Sequence, residues 1–351
     1  MVIEYQTALE ENVKKEALRI LNVLGKYLWK KFWQEDMNIP SNLNVFTGKD
    51  DEKEYILRYL FLRVLLNQQG DSLLIRKFAR NLVEELGHEF LRSTLDMIST
   101  PDVYSKMIEI ARKYGGEKCA KIYSPGRFRG IKPFYILTSR ISLFAIFLEM
   151  LKKKKTTILE IVRHCLKDKA PVISLNRFIS NCEYVGFAWV GKNPKGSRML
   201  TDWIIFLMTE IWKEFPSSLM TRTLMIVDGH VGKVFSRIGL ISRIAYDRSR
   251  PYIIEAAQMR GNIENEVKKY ITELNLIPFY VDYAAFCLGI SICDELKPIC
   301  EISNPNERKH LIQQKEPYSK EIISFSNYEG CPLEHICKKY TKWTAYKQKK
   351  S

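Results

Sequence analysis

Eight cysteines are spread along the chain, and four of them fall near its C-terminal end in two close pairs. Cys293 and Cys300 enclose six residues in CDELKPIC, and Cys331 and Cys337 enclose five in CPLEHIC. Thiolates are soft ligands, and four of them complete either an iron–sulfur cluster or a tetrahedral zinc site. Short loops fix the direction of each ligand at little closure entropy. Both pairs lie in polar, proline-containing segments, where a cysteine packed merely as a small hydrophobe is out of place. That packing role suits Cys119, Cys165, Cys182 and Cys287. Zinc sites usually carry tighter CxxC knuckles, and the sequence has none. Asp228 is the second candidate. It follows an apolar run and precedes a helical pattern, which is the place of an N-cap. At the mouth of a cleft the same carboxylate would stabilise a developing positive charge, or orient an attacking water or amine. A plain cap is the commoner fate of such an aspartate. The third candidate is SPGRFRGIKPFY (residues 124–135), where Arg127 and Arg129 alternate with aromatics. It reads equally as a DNA-contact loop, with cations on phosphates and rings on extruded bases, or as a solvated loop whose rings enter the core.

The elements that position these residues read as helices almost throughout. Residues 10–32 place Ala17, Leu18, Leu21, Leu24 and Leu28 near a period of 3.6. The same pattern predicts helices over 54–66, 73–86, 131–152, 200–215, 231–240, 263–274 and 280–292. No convincing alternation of strand type is present, so the fold class is all-α. Polar, Gly or Pro punctuation falls at 38–51, 115–130, 192–197, 246–251 and 303–328, the last of which reads as an insertion or a mobile loop. The basic tail, 338–351, is expected to fray.

The chain carries 55 Lys and Arg against 40 Asp and Glu, a net charge of +15, with a pI near 9.3. Such a surplus points to a polyanionic partner. The apolar runs are too short to span a bilayer, and residues 1–11 carry acids with no apolar stretch of the signal-peptide kind. A cytoplasmic, monomeric protein is the expectation, and in a reducing compartment its cysteines are thiols or metal ligands rather than disulfides.

The cysteine spacing, Cys-x6-Cys followed by Cys-x5-Cys, resembles the iron–sulfur loop of endonuclease III-like enzymes in the helix-hairpin-helix DNA glycosylase superfamily. Lys297-Pro298 ahead of Cys300 agrees with that loop. Here residues 301–330 separate the pairs, where the family has a short spacer. IVDGHVGKVFSRIGL (226–240) resembles the family's VDTHV-x-R-V-x-x-R-L-G stretch, which makes Asp228 the implied catalytic carboxylate at the start of a helix. NLIPFYVDYAAFCLGISIC (275–293) is similar to the family helix that leads into its first cluster cysteine. RVLLNQQGDSLLIRKFARNL (63–82) resembles the early segment whose glutamine pushes into the DNA stack, and this implies that role for Gln69.

The hairpin is the loosest match. VGKNPKGSRML (190–200) precedes an apolar helix and offers Gly191, Lys192, Gly196 and Arg198 for phosphate contacts. Bifunctional members use a hairpin lysine as nucleophile. Aligning Gly196 with the last family glycine puts Arg198 in that slot, and an arginine is always protonated. Lys195 is the remaining candidate, as nucleophile or as a further phosphate contact. The 33 residues from Lys195 to Asp228 are closer to the archaeal 8-oxoguanine glycosylase branch.

The resemblance implies two helical subdomains with a cleft between them. Residues 52–227 would form a barrel with the divergent hairpin. Residues 228–351 would hold a [4Fe-4S] cluster on Cys293, Cys300, Cys331 and Cys337, with zinc or a vacant site as alternatives, and residues 1–51 would pack on this second part. The implied activity is base excision from double-stranded DNA with a base lesion, with or without strand cleavage. The alternatives are a glycosidase of a small modified nucleoside and a non-catalytic nucleic-acid-binding relative.

Overall fold

The computed structural model describes residues 2–5, 9–66, 72–114, 133–181, 195–241, 243–246, 257–293, 298–326 and 330–337. Helix α1, Glu11–Met37, is set by its apolar stripe. Ala17, Leu18, Leu21, Leu24 and Leu28 are all buried. Each such leucine contributes roughly 2 kcal/mol of burial. The helix runs past the predicted end because Trp33 and Met37 continue the stripe. It stops at Asn38, whose φ of 52° is left-handed and suits asparagine.

The chain divides into two compact units, residues 1–32 with 220–351, and residues 33–219. Residues 33–51 group with the second unit, where the Trp33 ring meets those of Phe46 and Phe206.

In the first unit, strand β1 (Val2–Tyr5) pairs antiparallel with β2 (Arg243–Tyr246), Val2 facing Tyr246 and Tyr5 facing Arg243. Four helices of this unit carry the argument below, and they take the next labels. They are α2 (Gly229–Ile238), α3 (Pro278–Ile290), α4 (Pro305–Gln314) and α5 (Tyr318–Ser326), with a further helix at Ala257–Glu273. Helix α1 packs on α3 so closely that a Cβ at Gly25 would stand 1.8 Å from the Tyr280 carbonyl oxygen. Trp29 lies edge-on to Phe279 and Tyr283.

The stretch between the cysteine pairs differs from the expectation of a mobile loop, because it forms α4 and α5. Pro305 at the first turn and the Asn304 side chain, which accepts from the Asn306 and Glu307 amides, start α4. Ile322 buries α5, and Glu321 accepts from Tyr27 and from Lys31 on α1. Tyr318 meets Phe32, and Phe325 meets Tyr27. Spacing alone misses such helices because each has only two or three turns and few apolar positions.

In the second unit the helix Asp50–Leu66 is buried on nearly every face. Around it lie Ser72–Leu86, Glu89–Arg92, Thr94–Ile98, Pro101–Lys113, Pro133–Lys153, Ile158–Leu166 and Pro171–Asn181. Lys195–Phe206 follows and runs on into a π-turn, Leu207–Ile211. Thr157 and Glu160 form a capping box at Ile158–Leu166. The buried Glu54 carboxylate accepts from the Ile158 and Leu159 amides at the same helix end. Arg163 reaches Asp50 through both terminal nitrogens and also binds Glu214, which Lys53 binds as well. Among the described residues no helix is long and apolar enough to cross a membrane.

Candidate catalytic helix and cysteine cluster

Asp228 ends a buried approach through Val227 and caps α2. Its backbone is extended, and its Oδ1 accepts from the amides of His230 at 2.9 Å and Val231 at 3.0 Å. It is 8% exposed. The first-turn amides and the helix dipole both favour an acid at this position. The helix closes at Gly239, whose φ of 80° is the left-handed conformation that glycine adopts without strain.

The body of α2 carries two buried cations four residues apart, which places them on one helix face. Lys233, 2% exposed, donates from Nζ to the Gly289 carbonyl at 2.8 Å. Arg237 donates from Nη1 to the Cys293 carbonyl at 3.3 Å and to Cys293 Sγ at 3.5 Å, while Cys337 Sγ donates to the Arg237 carbonyl at 3.5 Å. Arg237 therefore touches one cysteine of each pair. Both cations serve the C-terminal end of α3, where carbonyls lack helical partners and the dipole favours positive charge. Gly289 lets the two helices approach, since a Cβ there would lie 2.9 Å from both Cβ and the carbonyl oxygen of His230.

All four cysteines are free thiols of intermediate exposure. Cys293 is held by its amide on the Leu288 carbonyl, and Cys337 by its amide on Leu333. Burial pushes the Cys331 thiol well above its ordinary pKa. The Leu333 amide works against that rise, and the nearby Cys293, Cys337 and Cys300 add to it. Cys331 therefore lies within electrostatic reach of the other three. Among the described residues no group of three or more His, Cys, Asp or Glu side chains is arranged to hold a metal ion. The donor chemistry suits a thiolate-bound group, with Arg237 at hand to offset the negative charge of the ligands. Binding would have to displace the Cys331 proton.

Lys195 is the first residue, and Gly196 and Arg198 the next members, of the helix Lys195–Phe206 in the second unit; Gly196 and Arg198 are half-buried. Gln69, Arg127, Arg129, Gly191 and Lys192 lie outside the described residues. Trp203 is core, with the Arg63 guanidinium 4.4 Å from its ring centroid. Cys165 and Cys287 are buried. Cys119 and Cys182 lie outside the described residues.

Sequence reasoning passed over three residues of the first unit. Lys233 and Arg237 stand in the quoted segment at helical spacing, and that spacing was the available signal. Asp282 accepts the Ile226 amide two residues ahead of Asp228, and its signal was a lone acid within an apolar helix. No family model, no curated protein and no solved structure matches the chain.

Proposed function

We propose that the chain is a DNA glycosylase that flips a damaged or deaminated base out of a duplex and cleaves its N-glycosidic bond, with Asp228 as the catalytic carboxylate. The reading rests on one observation. A single ten-residue helix carries an aspartate at its N-terminus and, at its other end, an arginine that touches both cysteine pairs. The order of these parts is the order the resemblance implies. As the base departs, Asp228 stabilises positive charge on the sugar or takes the proton of an attacking water. In a bifunctional version the Lys195 amine attacks C1′, the base leaves, and the Schiff base so formed permits β-elimination. The net charge of +15 favours the phosphate backbone, so affinity falls steeply with salt.

Cys293, Cys300, Cys331 and Cys337 would hold an iron–sulfur cluster, which supplies structure rather than redox chemistry. Arg237 orients Cys293, and Lys233 fixes the end of α3 that delivers it.

The test is a panel of duplexes, each with one damaged base, scored for base release with and without alkali and for a borohydride-trapped adduct. Breaks that appear only after alkali mean a monofunctional enzyme and retire Lys195 as nucleophile. A trapped adduct lost in Lys195→Gln means a lyase. Salt-sensitive binding with no product on any lesion overturns the reading in favour of a non-catalytic binding protein.

A further inference from the structure

Four residue pairs tie the segment from Thr223 to Arg237 to the segment from Phe279 to Cys293 by hydrogen bonds. The Phe279 amide donates to Thr223 Oγ1, and the Ile226 amide donates to Asp282 Oδ2. Lys233 donates to the Gly289 carbonyl, and Arg237 donates to the Cys293 carbonyl. Each of these pairs is 56 residues apart. A constant offset means that the two segments run parallel and in register, so a slip by one residue would break all four pairings together.

Asp282 stands out in this set. It is the single charged residue of α3, whose sequence is PFYVDYAAFCLGI, and it is 4% exposed. Aspartate is a poor residue for a helix interior, and a buried carboxylate costs desolvation that an apolar residue would avoid. What it supplies is an acceptor for the Ile226 amide, a backbone donor of the chain entering α2.

We propose that Asp282 is a positioning residue for Asp228. By accepting the Ile226 amide it fixes the segment that leads into α2, and so fixes where the Asp228 carboxylate sits on the helix N-terminus. The inference rests on Asp228 being the catalytic carboxylate, and its test separates the two claims. Asp282→Leu removes the acceptor, whereas Asp282→Asn keeps a side-chain oxygen that can still accept.

Three quantities are measured for both variants: the single-turnover rate of base release, the Kd for the lesion duplex, and the amide hydrogen exchange of His230 and Val231. These two amides donate to Asp228 and report directly on its seat. For Asp282→Leu, base release slows by up to about 100-fold, the penalty for misplacing a reacting group by an ångström. Its Kd stays within about twofold, and the two amides exchange faster. Asp282→Asn restores all three. A wild-type release rate in Asp282→Leu overturns the proposal. So does a parallel loss of rate, affinity and thermal midpoint, which marks a merely structural residue. An Asp282→Asn variant as impaired as the leucine variant overturns it too. If the wild type releases no base from any duplex, the glycosylase reading fails on its own. Exchange at His230 and Val231 then decides Asp282, and unchanged exchange in the leucine variant overturns it.

Discussion

Arg63 and Arg237 are both buried, one in each unit, and they are held by different kinds of partner. Arg63 lies over the face of Trp203 and donates to the Asp36 carbonyl, so both of these contacts belong to the scaffold. Arg237 donates to the carbonyl and sulfur of Cys293 and accepts from Cys337. Burying either guanidinium carries the same desolvation cost, several kcal/mol before compensation. A buried charge therefore points to a site only when its partners can do chemistry. In the first unit the buried charges Asp228, Lys233, Arg237 and Asp282 lie on two parallel segments, and Arg237 is the one whose bonds described above reach cysteines. In the second unit Arg163, Asp50, Glu214 and Lys53 bind one another and tie helices together.

The strongest way to break this comparison is at Asp228. Asn caps a helix about as well as Asp, so Asp228→Asn changes stability by less than about 0.5 kcal/mol. It loses base release by a factor of about 100 or more, the usual contribution of a positioned acid or base. Asp228→Ala loses the cap as well and costs about 1 kcal/mol of stability. Thermal melting and single-turnover kinetics separate the two roles, and an active Asp228→Asn leaves this residue as a cap alone. The next effect is at the cysteines. Metal analysis of the anaerobically purified protein should give about four iron atoms per chain, falling towards zero in Cys331→Ala. Zinc in place of iron would change the ligand reading, and no metal at all would remove it.

What was legible in the sequence follows how many residues each signal used. Helix α1 has a stripe of buried residues from Ala17 to Met37, long enough to announce itself. Helix α4 was hidden because none of its residues is buried, and α5 because its stripe of Tyr318, Ile322 and Phe325 has only three members. Asp228 as a helix N-cap was readable from an apolar run followed by a helical pattern, and the cysteines were readable from spacing. Asp282 and the register of α3 against α2 were not, because the bond joins residues 56 apart and local pattern carries no information about it. The strand pair was hidden for the same reason. Its register joins Val2 to Tyr246, and neither four-residue strand shows a sustained alternation.

The two arginines offer a finer comparison. Arg63→Met and Arg237→Met each remove a buried donor and leave a carbonyl to be satisfied otherwise, at about 1–3 kcal/mol. The melting temperatures therefore fall alike. Iron content and hydrogen exchange do not. Arg237→Met lowers the bound iron and speeds exchange at the Cys293 amide, while Arg63→Met leaves both as in the wild type. Equal iron in the two variants would mean that Arg237 is scaffold as Arg63 is.

The smallest effect tests the ion-pair side of the comparison. Hydrogen bonds from Arg163 hold the Asp50 and Glu214 carboxyls below the ordinary carboxylate range, and Lys53 adds to both. A carboxyl whose pKa is depressed on folding stabilises the fold at pH above its unfolded value, and that contribution is lost as the pH falls through the folded value. The window therefore opens near pH 4, the ordinary carboxylate range, and extends below it. Asp50 is largely exposed, with 59% of its side chain in solvent, so screening cuts its share. The wild type should lose no more than about 1 kcal/mol across that window beyond what Arg163→Gln loses. Denaturant melts of both proteins at pH 6 and pH 3 read this difference. Base release at neutral pH should be the same in both, because among the described residues Arg163 bonds only carboxylates of the scaffold in its own unit. A fall in base release for Arg163→Gln would show that the ion pairs of the second unit also reach the chemistry, and the division between scaffold charge and site charge would fail.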